Sequence, residues 1–247
     1  RNIKNFNQNL DLAILATTAK RRLNLIRILK KNKIKFWILE KLLEQNVSST
    51  NKVYECLKLD KCWVNIPRRA LPEYMRIKKN FKNHDKIDLK LSMNGDRIVT
   101  NAIHFIDLVS WFTNSKVSKV DTSKLKSEWI ESKRKGFFEV GGILKVFLRN
   151  NSRIILKAGK KIKKSDMVIG NKLLSWTISE GNLYAYRSDG IKIKVKPPLV
   201  SELMKKIIKD IFKNKNCSLP VLEDVVENHN ALINSLKKHW IENKNKN

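Results

Sequence analysis

The sequence predicts an α/β segment of parallel strands joined to an α+β domain with an open, mainly antiparallel sheet. Three observations carry this expectation. Residues 10–66 alternate short apolar runs with amphipathic stretches, the strand–helix rhythm of a parallel sheet. Residues 139–195 change period: five strand-like runs are separated by turn signals at Asn150-Asn151, Gly181 and Asp189-Gly190. Pro197-Pro198 closes that region, and two amphipathic helical stretches follow it.

Leu10 to Ala16 reads as a buried strand, with Thr17-Thr18 opening the turn at its end. Leu23, Ile26 and Leu29 then mark the apolar face of a helix over residues 19–31. Phe36 to Leu39 is the next strand, Ser48-Ser49-Thr50 offer caps for a helix over 50–59, and Cys62 to Ile66 is a third strand. Two strand–helix–strand passages in succession imply parallel strands with right-handed crossovers. Pro67 ends the third strand, and Pro72 suits the start of a helix running through Phe81. Ile87 to Met93 alternates as a half-buried strand, Asn94-Gly95 is a turn, and Ala102 to Phe112 is a helix striped by Ile103, Ile106, Val109 and Phe112. The later strands are expected at Glu139 to Leu148, Ser152 to Ala158, Lys172 to Ser179, Asn182 to Tyr186 and Ile191 to Val195. Helices over 200–213 and from Ser218-Leu219-Pro220 onward complete the chain, the second with Val225, Leu232 and Leu236 inside.

Composition narrows the classes. At 247 residues the chain can bury one sizeable core or two smaller ones. No apolar stretch reaches the roughly 18 residues of a membrane span, and the N-terminus lacks the apolar core of a secretion signal. Cys56, Cys62 and Cys217 form neither a disulfide framework nor a metal pair, so a reducing cytoplasm is expected. The formal charge of +29 would attract polyanions. Lysine is nevertheless spread over nearly every segment beside abundant Asn and Ile, which points to solvated faces, and a nucleic-acid partner is not expected. His84, His229 and His239 have no partners at metal-ligand spacing, so no metal site is assigned.

Two polar clusters stand out. Glu40-Lys41 follows the apolar run Phe36-Trp37-Ile38-Leu39, and Asn101, His104 and Asp107 interrupt an otherwise apolar helix. Two or three parallel strands are too few for a complete nucleotide-binding domain, and the Gly-rich turn that cradles a pyrophosphate is not in the sequence. The chain is therefore expected to begin inside a doubly wound domain.

From about residue 10 to residue 240 the chain resembles the Gfo/Idh/MocA oxidoreductases, the family of glucose-fructose oxidoreductase and inositol dehydrogenase. Leu12-Ala13-Ile14-Leu15-Ala16-Thr17-Thr18 is similar to the family's fourth Rossmann strand and its Ala-Thr-Pro turn. Leu39-Glu40-Lys41-Leu42 matches its Glu-Lys-Pro motif with Leu42 in place of proline. Asn65-Ile66-Pro67-Arg68-Arg69 resembles the segment bordering the nicotinamide, and Asn101 to Asp107 resembles the Gly-x-His-x-x-Asp helix. Ser218 to His229 resembles the family's C-terminal Pro-x-x-x-(Glu/Asp) helix.

The resemblance implies residues 1–66 as a partial Rossmann domain and 67–247 as a substrate and oligomerisation domain, with the helices of 200–240 packing back toward the first. It implies NAD or NADP as cofactor, a small carbohydrate substrate and a homo-oligomer formed through the antiparallel sheet. The activity it implies is hydride transfer at a sugar, polyol or nucleotide-sugar carbon, in surface-polysaccharide metabolism. Lys41 and His104 become the catalytic candidates; a lysine can hydrogen-bond the reacting hydroxyl, and an imidazole can assist proton transfer near neutral pH. Arg68, Arg69, Thr100, Asn101 and Asp107 are the substrate-side candidates, the arginines because their planar forks suit anions. Thr17, Thr18, Arg22, Glu40, Lys41 and Asn65 are the cofactor-side candidates. Two departures stand against the family pattern: Thr100 replaces an aspartate, and Arg22 stands where histidine is common. Thr100 and the Glu-Lys-Leu motif keep a second reading open, a non-catalytic member of the same fold acting in ligand binding or assembly. The third reading, a basic nucleic-acid-binding protein, rests on charge alone.

Overall fold

The computed structural model describes residues 6–179, 184–195 and 198–244. The turn expected at Gly181, the start of the strand expected from Asn182, and Pro197 lie outside these residues. The chain divides into two compact units: residues up to 70 with 200–234, and residues 71–199 with those from 235 onward. Residues 200–234 thus cluster with the first unit.

In the first unit, β1 (Leu10–Leu15), β2 (Ile34–Glu40) and β3 (Lys61–Asn65) form a parallel sheet in that order. The strands are short apolar runs, and in β2 Trp37, Ile38 and Leu39 are fully or almost fully buried. α1 (Arg22–Leu29) and α2 (Val47–Leu57) are the crossovers. α2 starts three residues earlier than expected, because Asn46 rather than the serines caps it: its side-chain oxygen accepts the Ser49 N–H at 2.8 Å. α5 (Val200–Asn214) lays Phe212 edge-on against Phe36. The chain then returns through Pro220, whose carbonyl accepts the Val64 N–H, before α6 (Leu222–Asn243) begins.

In the second unit, α3 (Pro72–Lys78) precedes β4 (Asp88–Asn94) and α4 (Ile98–Thr113). α3 stops short of the expected Phe81, which is buried just beyond it. β5 (Val117–Glu131), β6 (Phe138–Leu148), β7 (Arg153–Gly159), β8 (Asp166–Gly170), β9 (Ser175–Ser179), β10 (Tyr184–Arg187) and β11 (Lys192–Lys194) complete an eight-stranded sheet. Its order is β11-β10-β9-β8-β4-β7-β6-β5, antiparallel except for β4 beside β7. The alternating residues Leu89, Leu91 and Met93 face Ile154, Leu156 and Ala158 across that central pair and are buried. The sheet is therefore open and mainly antiparallel, as expected. Two strands were not expected, β5 and β8. The run expected from Lys172 starts only at Ser175, because the Asn171 side-chain oxygen accepts the N–H groups of Leu173 and Leu174 and makes a turn there.

Candidate functional site

The three parallel strands of the first unit end side by side, and their C-terminal ends collect the polar residues. β2 ends at Glu40 and β3 at Asn65, and the register pairs those two positions. The Asn65 amide donates to Glu40 Oε2 at 2.8 Å, while Glu40 Oε1 accepts the Lys41 backbone N–H at 3.2 Å. Asn65 Oδ1 is buried and makes no hydrogen bond among the described residues. Glu40 and Asn65 line a cavity of about 260 Å³ whose other walls, including Ile14, Ile38 and Ile208, are apolar. Two acceptors on an apolar wall suit a ligand that carries hydroxyl or amide donors on a flat apolar body. Thr17 and Thr18, in the turn after β1, are exposed and half-buried respectively.

Lys41 follows Glu40 and is half-buried, and its peptide bond to Leu42 is cis. The segment after it is bound to α1. Arg22 is fully buried and its guanidinium donates to the carbonyls of Thr17, Leu42 and Leu43. Burial pushes this guanidinium down to about 10, against the raising influence of Glu44 and Glu40. Arg22, a cofactor-side candidate, thus turns its two terminal nitrogens to three backbone carbonyls. Glu44, itself buried, accepts the Leu23 N–H at 2.6 Å and so closes the N-terminus of α1 with a carboxylate. His229 on α6 is completely buried; its Nδ1 donates to the Val225 carbonyl at 2.9 Å. Its imidazole is pushed down to about 4, chiefly by burial, with the charges of Arg22 and Lys41 acting in the same direction.

Arg68 and Arg69 lie in a 3-10 turn at Pro67–Ala70 just after β3. Both are half-buried, and Arg69 is paired with Asp224 of α6 at 3.5 Å.

The remaining candidates lie on α4 in the second unit. Glu139 of β6 caps this helix from outside, accepting the N–H groups of Val99 at 2.9 Å and Thr100 at 3.2 Å. Asn101 turns its amide back to the Arg97 carbonyl at 2.9 Å and to the Thr100 hydroxyl at 3.3 Å. His104 is half-buried one turn further on, and Asp107, three residues beyond it on nearly the same face, is fully buried. Among the described residues no group of three or more His, Cys, Asp or Glu could hold a metal ion.

The sequence shows nothing of the roles of Glu44, Glu139 and His229 in these contacts. Each acts on a residue far away in the chain or through its own burial, and no local spacing signals either. Glu44 alone carried a hint, as an acid just beyond the Glu-Lys motif.

No family model matches the chain, and no curated protein matches it. Solved structures do. A super-repressor mutant of Gal80p from Saccharomyces cerevisiae is 15% identical, with a TM-score of 0.66 over 94% of this chain and 78% of its own. UDP-N-acetylglucosamine 3-dehydrogenase from Acidithiobacillus ferrooxidans is 12% identical, with a TM-score of 0.66 over 92% of this chain and 76% of its own. The dehydrogenase MviM from Clostridium difficile is 16% identical, with a TM-score of 0.62 over 94% and 78%. The chain thus shares the fold of these structures.

Proposed function

We propose that this chain is the nicotinamide-side and substrate-side part of an NAD(P)-dependent oxidoreductase that moves a hydride to or from a sugar, polyol or nucleotide-sugar carbon. One observation carries the reading: Glu40, Lys41 and Asn65 meet at the C-terminal ends of adjacent parallel strands, where open α/β sheets bind their ligands. The fold's likeness to a nucleotide-sugar dehydrogenase supports the substrate class.

The residues present suit one half of a dinucleotide. Glu40 and Asn65 offer acceptors against apolar walls, which fits the ribose and carboxamide beside a nicotinamide. The N-terminus of α1, which could meet a phosphate, is already filled by the Glu44 carboxylate. When bound, the dinucleotide supplies or accepts the hydride. Lys41 donates a hydrogen bond to the reacting oxygen and stabilises negative charge developing there. His104 takes up or returns the substrate proton. Thr100 cannot serve as a base at neutral pH, so the proton passes by Lys41 or His104. Thr17 and Thr18 border the cofactor, Arg68 and Arg69 face anionic groups of the substrate, Asn101 contacts its hydroxyls, and the buried Asp107 orients His104.

The test is sugar-dependent reduction of NAD or NADP by the full chain. Lys41→Met and His104→Ala should each lower turnover by about 10²- to 10⁴-fold; unchanged rates in both would sink the site. A second reading, a ligand-binding member without catalysis, is favoured by Thr100 and by the fold's likeness to a Gal80p super-repressor mutant. Nucleotide binding seen by fluorescence without any turnover across a sugar panel would select it.

A further inference from the structure

We propose that Arg22 is the positioning residue of Lys41, and that Glu44 completes the same device. The proposal rests on the reading of Lys41 as the group that meets the reacting oxygen. Two consecutive residues of α1 grip the three residues that follow the Leu42 peptide junction. The Arg22 side chain holds the Leu42 and Leu43 carbonyls, and the Leu23 backbone N–H holds the Glu44 carboxylate. The same guanidinium holds the Thr17 carbonyl in the turn after β1. On the other side of Lys41, Glu40 is tied to Asn65 and to the Lys41 N–H. Lys41 therefore stands between two fixed points, one at the strand end and one at α1.

An arginine suits this task because its fork presents several donors in a fixed plane, enough to reach carbonyls from two separate turns at once. A histidine or lysine could satisfy only part of that set. The guanidinium is fully buried and both its terminal nitrogens donate to backbone carbonyls, so its effect on a ligand runs through Lys41.

Hydrogen exchange and lysine labelling of the full chain test this without requiring turnover, so a failed dehydrogenase assay and a failed proposal are separate results. In Arg22→Gln, peptides over residues 16–21 and 41–46 should exchange about tenfold faster or more, while peptides of β6 and β7 keep their rates. Acylation of Lys41 should change severalfold relative to Lys35, an exposed lysine of β2. Arg22→Lys, which keeps the charge and part of the hydrogen bonding, should return both readouts toward the parent values. If Arg22→Gln does not fold, Glu44→Gln loosens the clasp from its other half and should raise exchange in 41–46. Parent-like exchange and parent-like Lys41 labelling in a folded variant would overturn the proposal. So would uniform loosening of the whole first unit with the Lys41-to-Lys35 ratio unchanged.

Discussion

His229 links a buried imidazole to the acid stability of the fold. Its ring is held neutral because burial disfavours the charged form and because Arg22 and Lys41 are cationic neighbours, an effect that exceeds the help of the Val225 carbonyl. The unfolded chain takes up a proton near 6.5, whereas the folded ring does so only near 4. The contribution to stability is complete above pH 6.5 and is lost as pH falls toward 4, amounting to about 3 kcal/mol at most. Urea midpoints measured from pH 7.5 to 4 should therefore decline less steeply for His229→Leu than for the parent, and parallel curves would contradict the assignment. The sequence pointed to Glu40 and Lys41 because a strand end followed by polar residues is a local pattern, and to Asn65 only through the family resemblance. It could not point to His229 or explain Arg22. His229 sits between Asn228 and Asn230 on a helix of mixed polarity, and Arg22 looks like one more cation among many. What sets both apart is burial among residues distant in the chain.

α4 shows how an element can depend on a residue that its own sequence does not contain. Arg97, at its N-cap, provides no side-chain cap, and Glu139 from β6 takes the Val99 and Thr100 N–H groups instead. Glu139→Gln keeps the shape and removes the charge that complements the helix dipole. It should cost about 1 kcal/mol in a denaturant titration, with Glu139→Ala costing more; no change in either would mean that water caps the helix equally well. A second contact pins the turn before α4. A Cβ on Gly141 would stand 1.8 Å from Asp96 Oδ1, the oxygen that also receives Lys126 Nζ at 2.9 Å. Gly141→Ala should thus destabilise by about 1–3 kcal/mol, and adding Asp96→Ala should recover much of that loss; strict additivity would show that the two do not touch. The elements legible in the sequence were those with clean periods, such as β2, β4, β6 and α4. β5 was hidden because its pairing shifts register three times, so that Val117, Leu125 and Trp129 are buried at irregular spacing among lysines. Gly142, with φ of 103°, takes one of those bulges where any side chain would strike the Lys124 carbonyl. β8 has only Met167 and Ile169 as its inward pair, too short a period to read.

For the whole molecule, the charge of +29 and the sheet face bear on the same question. Nothing in the spacing of the lysines concentrates that charge, yet the register gathers part of it. Lys145, Ile155, Lys90, Val168, Thr177, Tyr186 and Lys192 line up across seven adjacent strands, all half-buried or exposed. The face is thus apolar enough to associate and basic enough to resist a copy of itself. If two chains pair through this sheet, like charges oppose the contact and salt screens them over about 10 Å at 0.1 M. Association should then tighten between 50 and 500 mM salt, which sedimentation velocity can follow. A complex with nucleic acid would behave in the opposite way, because binding that releases counterions weakens steeply over the same range. Lys90→Glu gives a second handle: it places an acid in the middle of the row, so it should strengthen self-association at 50 mM and do little at 500 mM. Self-association that ignores both salt and Lys90→Glu would remove this face as the interface, and binding to DNA or RNA that collapses with salt while the chain stays monomeric would give the basic row to a polyanion instead.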